Sequence, residues 1–193
     1  MLSSMYLCKP TKDVIEGWRA ALADNTPDLL SGLKTALDAI DTDSEQEREE
    51  ILWEYTRLFI GPYKLPCPPW ESVYTSPKRL MMQSAHDEVT EAYRNEGVAV
   101  NTAEVMGDHI GVELNFLAFL LRQMVEDPER QEHYAEAAAR FAKEHLQKWT
   151  PAFTRDLAQA ADYTFYKELA QTTWETIAVI QGEILAASSS SGE

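Results

Sequence analysis

The stretch DHIGVELNFLAFLLRQMV, residues 108 to 125, decides the fold. Its apolar residues cover nearly every side of a helix, because a helix repeats about every 3.6 residues. A helix that is apolar all round is surrounded by other helices, so this segment is predicted to be the central core helix. The residues concerned are Leu114, Phe116, Leu117, Phe119, Leu120 and Leu121.

Much of the remaining chain has a single apolar stripe at helical spacing, which is typical of a helix with one buried face. Two such stripes are Val14, Ile15, Trp18, Ala21 and Leu22, and Ile51, Leu52, Tyr55, Leu58 and Phe59. No alternating pattern of useful length predicts a β-strand. We therefore expect an all-α fold, a single-domain irregular helical bundle over residues 1–187, with a disordered serine-rich tail at 188–193.

Five positions carry the signal of a helix start. Four of them pair a capping residue with a following proline: Thr26-Pro27, Ser76-Pro77, Asp127-Pro128 and Thr150-Pro151. The fifth is Ser44 with Glu47, which matches the capping box. A capping side chain accepts a bond from a free backbone N–H, and proline at the first helical position gives up no helical bond. Helices are predicted to begin at all five.

Charge and composition restrict the partners. The 193 residues include 32 acidic and 17 basic side chains, for a formal net charge of −15. A field of this sign repels phosphate backbones, so no nucleic-acid partner is expected. The N-terminus MLSSMYLCKPTKD has no export signal, and the longest apolar run, FLAFLL, is too short to span a membrane. We expect a cytoplasmic protein and leave open a homodimer, since helical bundles can exchange elements between protomers.

Motifs for catalysis and metal binding are missing from the sequence. No histidine lies three positions after a glutamate, as carboxylate-bridged metal sites in helical bundles require. Phosphate-binding loops and serine-hydrolase motifs are absent, and Cys8 and Cys67 form no CxxC. We expect no cofactor, no metal and no enzymatic activity. Two alternatives stay open: a general adaptor for amphipathic helices, and a metal-dependent hydrolase using Glu50, Glu54, Asp108 and His109.

Residues 61–75 are predicted to form a proline-rich loop. The stretch GPYKLPCPPWESVY, residues 61 to 74, contains Tyr63, Trp70 and Tyr74 among its prolines. Proline-fixed backbone has little freedom left to lose on binding, so aromatic side chains held on such a loop suit a binding surface. Leu58 and Phe59, on the preceding helix, suit a binding surface and a core equally well.

Asp108 and His109 open the predicted core helix. Asp108 is either the N-cap of that helix or an anion placed to receive an arginine. His109 adds an imidazole whose charge can change near neutral pH. His145 shares a helix face with Phe141 and Trp149, so we interpret it as a core histidine without a functional role.

Two strings carry a family resemblance, YTRLFIGPYKLPCPPWESVY at 55–74 and Gly-Asp-His-Ile at 107–110. With FAKEHLQKWTPAFTRDL and DYTFYKELA further along, the sequence resembles the TorD/DmsD family of maturation chaperones for molybdenum redox enzymes, and its DmsD-like branch in particular. It departs from the family at residues 104–107, where Glu-Val-Met-Gly replaces the usual Glu-x-Pro-Asp. Residues 1–43 carry no string that matches.

The resemblance implies an all-helical cytoplasmic chaperone without catalytic activity. Its partner would be the twin-arginine signal peptide of a molybdoenzyme of the dimethyl sulfoxide reductase family, held while the enzyme matures before export. By position, the peptide-binding residues would be Tyr55, Leu58, Phe59, Tyr63, Pro69, Trp70, Tyr74, Asp108 and His109. Such a peptide presents two cations followed by an apolar stretch, so its receptor needs carboxylates beside an apolar surface.

Overall fold

The computed structural model describes residues 1–23, 26–62, 64–100 and 105–190. Its α-helices are α1 Leu2–Leu7, α2 Lys12–Ala21, α3 Ser31–Asp38, α4 Glu45–Tyr55, α5 Glu71–Thr75, α6 Ser84–Asn95, α7 Ile110–Glu126, α8 Gln131–Phe141, α9 Gln147–Ala160 and α10 Thr164–Ser190. A π-helical turn, Thr56–Ile60, extends α4, and a second, Ala142–Leu146, joins α8 to α9. Short 3-10 turns at Asp28–Leu30 and Pro128–Arg130 precede α3 and α8.

Helices dominate the fold. Within the described ranges, β-pairing is limited to one antiparallel bridge between Trp70 and His109. The all-α prediction is therefore confirmed. None of the helices in this part of the chain is long and apolar enough to cross a membrane.

The predicted core helix is α7. Its buried apolar residues include Ile110, Leu114, Phe116, Leu117 and Leu120. Phe116 meets Phe141 of α8 edge-on, with ring centroids 4.8 Å apart. Phe119 and Leu121 are only half-buried, so the expectation of burial on nearly every side is too strong for the second half of the helix.

Three of the predicted helix starts hold in the structure. The Ser44 hydroxyl caps α4 by accepting a bond from the Glu47 N–H at 3.3 Å. Pro128 begins the 3-10 turn that leads into α8. Pro27 precedes the turn that leads into α3, so the helical chain begins one residue later than predicted.

Two of the predicted helix starts are wrong. Ser76 ends α5 instead of starting a helix, since its N–H bonds to the Ser72 carbonyl at 3.0 Å. Arg79 then takes a left-handed φ of 52°, which a right-handed helix excludes, and α6 begins at Ser84. Pro151 lies inside α9, where its missing N–H removes only the bond to the first residue of that helix.

The proline-rich segment is shorter than predicted. Residues 71–75 of the predicted loop form α5. The last proline of the run is Pro69, so every N–H from residue 70 to residue 76 is free to donate. The Glu71 N–H donates to the Asp108 carbonyl at 2.9 Å, which anchors the start of this helix.

The chain divides into two compact units. The first contains Met1–Pro69 and Ala152–Thr176, and the second contains Trp70–Pro151 and Ile177–Glu193. The single-domain prediction over 1–187 stays a prediction. Helix α10 continues to Ser190, so the predicted disordered tail overlaps this helix at 188–190, while residues 191–193 lie outside the described residues.

An aromatic cluster forms the core of the first unit. The Tyr6 ring lies 5.8 Å from the rings of both Phe59 and Phe153. The Tyr6 hydroxyl bonds to the Thr173 hydroxyl at 2.8 Å, and the Tyr55 hydroxyl donates to the Tyr6 carbonyl at 3.0 Å. These contacts tie α1 and α4 to α10.

Candidate functional site

The predicted site residues belong to both units. Tyr55, Leu58, Phe59 and Pro69 are in the first unit, and Trp70, Tyr74, Asp108 and His109 are in the second. Tyr63 lies outside the described residues. Each set is described by itself below.

The set in the first unit is part of the core. Tyr55, Leu58 and Phe59 expose 3%, 0% and 3% of their surface, and Pro69 is buried as well. The Phe59 ring lies 5.4 Å from Tyr55 and packs edge-on against it. In this conformation these side chains position the segment that follows them instead of presenting a surface.

Cys67 connects the proline-rich segment to the π-helical turn that extends α4. It is fully buried, and its thiol lies 3.6 Å from the Leu58 carbonyl, within reach of a weak S–H hydrogen bond. Burial raises the pKa of Cys67 to about 12, so the thiol stays neutral and keeps its proton for this bond. No sequence pattern predicted a role for this cysteine.

In the second unit, Trp70 is joined to the start of α7. Trp70 forms the antiparallel bridge with His109, and the two rings meet edge-on at 6.0 Å. The Glu71 N–H donates to the carbonyl of Asp108. The structure thus brings together Trp70, Asp108 and His109, as the sequence predicted for a shared site.

Asp108 is a fully buried carboxylate with two partners. Its Oδ2 accepts a bond from the Ser72 N–H at 3.1 Å, and its Oδ1 lies 3.2 Å from Nδ1 of His86. Asp108 is not the N-cap of α7, which was one of the two sequence interpretations. His86 was missed, because the 22 residues that separate it from Asp108 hide the contact from any local pattern.

His109 is the N-cap of α7. Its Nδ1 accepts a bond from the Gly111 N–H at 3.1 Å, which places the proton of the neutral ring on Nε2. Burial lowers the pKa of His109 to about 4, against a smaller opposing effect from the Asp108 charge. The expectation that this imidazole changes charge near neutral pH is therefore wrong, because burial outweighs the nearby carboxylate.

A second buried network lies in the same unit. Trp149 Nε1 donates to Glu113 Oε2 at 3.1 Å, and His145 Nδ1 lies 3.0 Å from Glu71 Oε2. Burial first, and then the charge of Glu71, raise the pKa of Glu113 well above its ordinary value. The negative charge of Glu71 opposes a second charge on Glu113, so the protonated form of Glu113 is favoured. His145 is a core histidine, as predicted.

Sequence reasoning missed this network, although one signal was available. Glu113 is an ionisable residue within a stretch of core helix that is otherwise apolar on the same side. A buried carboxyl group needs partners, so its position predicts polar side chains facing it. The identity of those partners, Glu71 and Trp149, depends on tertiary packing alone.

Aromatic surface surrounds the Trp70 end of the second unit. Trp70 and Tyr74 are half-exposed, and the guanidinium of Arg79 lies 4.9 Å from the centre of the Tyr74 ring. Leu80 and Met82, in the segment between α5 and α6, are 50% and 64% exposed. This surface already stacks one guanidinium and offers apolar side chains beside it.

The first unit has an acidic groove of about 380 Å³ between α4 and the start of α10. Trp53, 62% exposed, lies in it beside Glu50, whose Oε2 accepts a bond from the Tyr163 hydroxyl at 2.9 Å. Glu54 is buried and accepts bonds from the N–H groups of Asp162 and Tyr163, in the turn that precedes α10. In the described part of the chain, no three His, Cys, Asp or Glu side chains are grouped to hold a metal ion.

Fold and site together define a class: all-helical proteins in which a Pro-Pro-Trp turn is bonded to an Asp-His pair at the start of a buried helix. The sequence profile of the nitrate reductase delta subunit family matches residues 19–155. The chain belongs to this family. The resemblance to TorD and DmsD proteins that the sequence strings indicated is confirmed.

Curated relatives carry both names. The chain is 27% identical to the chaperone protein TorD of Photobacterium profundum over 146 residues, which are 73% of this chain and 68% of that protein. It is 28% identical to the Tat proofreading chaperone DmsD of Salmonella typhi over 138 residues, 71% of this chain and 63% of that protein. The match covers 60% of a further relative, in Haemophilus influenzae, so the chain spans less than two thirds of that protein and of the Salmonella DmsD.

A solved structure shares the fold. The crystal structure of a candidate redox enzyme maturation protein from Archaeoglobus fulgidus superposes with a TM-score of 0.63. The match covers 91% of this chain and 90% of that one, at 20% sequence identity. At this identity the likeness concerns the fold alone.

Proposed function

We propose that this protein is a cytoplasmic chaperone that binds the twin-arginine signal peptide of a molybdoenzyme of the dimethyl sulfoxide reductase family and assists maturation before export. Family membership supports the proposal, because the TorD and DmsD relatives are named as chaperones and the DmsD relative as a Tat proofreading chaperone. The role proposed is binding, without catalysis.

One observation carries the proposal: the bridge between Trp70 and His109 joins a half-exposed tryptophan to the start of α7, where the residue before His109 is the acidic Asp108. A signal peptide of this type has an arginine pair followed by an apolar stretch. A guanidinium pairs best with a carboxylate in bidentate geometry, and an apolar stretch packs against aromatic surface. The Trp70 end of the second unit supplies both kinds of group.

The proposed site retains the residues predicted from the sequence, in two roles. Trp70, Tyr74, Asp108 and His109 would face the peptide or its immediate surroundings. Tyr55, Leu58, Phe59 and Pro69 would hold the proline-rich segment in position, and Tyr63 stays a peptide-binding residue predicted from the sequence alone. The contact between Cys67 and the Leu58 carbonyl supports the second role for the described members of this group.

Purification of the tagged protein from anaerobically grown cells tests the proposal. The expected co-purifying protein is a molybdoenzyme precursor whose leader, with its arginine pair, is still attached, as N-terminal sequencing would show. A client that co-purifies equally well without its leader would contradict the proposal. A Trp70→Ala protein is the matched control, since it alters the proposed surface and is expected to recover less precursor.

A further inference from the structure

The carboxylate of Asp108 is closed in this structure. The residue exposes 0% of its surface, and each of its oxygens already has a partner. A peptide guanidinium reaches this carboxylate only if one of the two partners, Ser72 or His86, leaves. The inference below rests on the proposed function and identifies which partner leaves.

Ser72 is held too firmly to be the partner that leaves. Its contribution is a backbone N–H in the first turn of α5, and the neighbouring Glu71 N–H donates to the Asp108 carbonyl. Loss of the bond from Ser72 to the carboxylate would leave this buried N–H without a partner, which is costly. The bond from Ser72 therefore stays, and fixes one edge of the carboxylate.

His86 is held more loosely. It contributes a side chain that is 16% exposed, on the first turn of α6. Gln83, the N-cap of α6, makes no side-chain capping bond to any described residue. The segment before it has left-handed backbone at Arg79 and Met82, a conformation that is strained for any residue with a Cβ.

Gly107 lets α6 approach the carboxylate. A Cβ at this position would lie 3.0 Å from the Thr90 hydroxyl oxygen and 3.8 Å from Cε1 of His86. A larger residue would push against the same helix face that carries His86. This glycine is also where the sequence departs from the family pattern of Glu-x-Pro-Asp.

We infer that His86 is a built-in competitor for the peptide's guanidinium group: its ring occupies Oδ1 of Asp108 and leaves when an arginine binds. The free protein thereby keeps its buried carboxylate paired. Because the bond between His86 and Asp108 must break first, its free energy is subtracted from the binding free energy of an arginine peptide, and the affinity is lower. Loss of this bond affects every ligand that uses Oδ1 equally.

Calorimetric titration with a synthetic Arg-Arg signal peptide tests this inference through four proteins: wild type, His86→Ala, Asp108→Asn and the double variant. We expect His86→Ala to bind about tenfold more tightly than wild type, the effect of one charge-assisted bond. In the Asp108→Asn background the same change should have no effect on affinity. His133→Ala, which removes another histidine paired with an acid, should bind like wild type.

The titrations separate a failure of the competitor role from a failure of the proposed function. If wild type does not bind the peptide, the proposed function fails. If wild type binds and His86→Ala binds equally or more weakly, the competitor role is wrong. NMR of the wild-type histidine rings covers the case in which His86→Ala does not fold: peptide should move the His86 resonances and leave those of His133 in place, and an unmoved His86 overturns the inference.

Discussion

Two adjacent residues at the start of α7 have different tasks. Asp108 bonds across to Ser72 and His86, while His109 turns inward and caps its own helix. The sequence placed both at this helix start and associated them with Trp70. It did not reveal which residue caps, because Asp and His both carry acceptors and the choice depends on the partners brought by α5 and α6.

Burial of His109 predicts a loss of stability in mild acid. Its pKa is about 4 in the folded protein and 6.5 for an ordinary histidine, so the unfolded chain binds a proton first. The stabilisation is fully present above pH 6.5 and is lost as the pH falls towards 4, by about 3 kcal/mol at about 1.4 kcal/mol per pKa unit. His109→Asn keeps a capping oxygen without this titration, and its thermal unfolding should depend less on pH between 6.5 and 4. Identical pH profiles of thermal unfolding for wild type and His109→Asn would contradict the assignment of this pH dependence to His109.

Glu113 predicts an effect of the opposite sign. Its folded pKa lies well above the ordinary 4.5, so the folded protein keeps a proton that the unfolded chain releases. The stability that depends on this proton is therefore present at low pH and is lost as the pH rises above 4.5. Glu113→Gln retains an acceptor for Trp149 and carries no charge that Glu71 could repel. We expect it to be more stable than wild type at pH 8, with the difference shrinking towards pH 4.5; denaturant unfolding at both pH values measures this, and a deficit at pH 8 would contradict it.

Helix ends show where local sequence signals succeed. The Ser44 cap is confirmed because its hydroxyl and the Glu47 N–H lie within four residues, whereas the Ser44 N–H, which a capping box pairs with the Glu47 side chain, donates to Asp41 Oδ1 at 3.2 Å. The Ser76-Pro77 signal failed because Ser76 was already bonded to the end of α5, a short helix that begins one residue after Trp70, itself preceded by Pro-Pro. A signal for a helix start does not reveal whether the same residue closes an earlier helix.

The strain of the left-handed backbone between α5 and α6 can be tested by a glycine substitution. Met82 has a φ of 55° and is 64% exposed, so its side chain contributes little packing while its backbone is strained. Glycine adopts this conformation without the steric cost. Met82→Gly should raise the free energy of unfolding by about 1 kcal/mol and the midpoint of thermal unfolding by about 2 to 4 °C. Met81→Gly is the control, since Met81 has no left-handed φ. Equal effects of the two changes would contradict the inference that the Met82 backbone is strained.

At the scale of the whole molecule, composition and periodicity predicted the all-α class, and the motif strings predicted the family. Apolar stripes are local, and a helix can be recognised from a window of about 11 to 18 residues. The buried partners of Asp108 and Glu113 could not be predicted, because His86, Glu71 and Trp149 reach them only after the helices of the second unit have packed. The net charge of −15 would speed the encounter with the proposed cationic peptide more than it would raise the affinity.

The most direct test compares two synthetic signal peptides that differ only in the pair, Arg-Arg or Lys-Lys, by calorimetric titration of the wild-type protein. An arginine forms two parallel bonds to a carboxylate where a lysine acts as a single point charge. We expect the Arg-Arg peptide to bind about tenfold more tightly. Equal affinities would favour a general adaptor for amphipathic helices, and absence of binding by the Arg-Arg peptide would contradict the chaperone proposal itself.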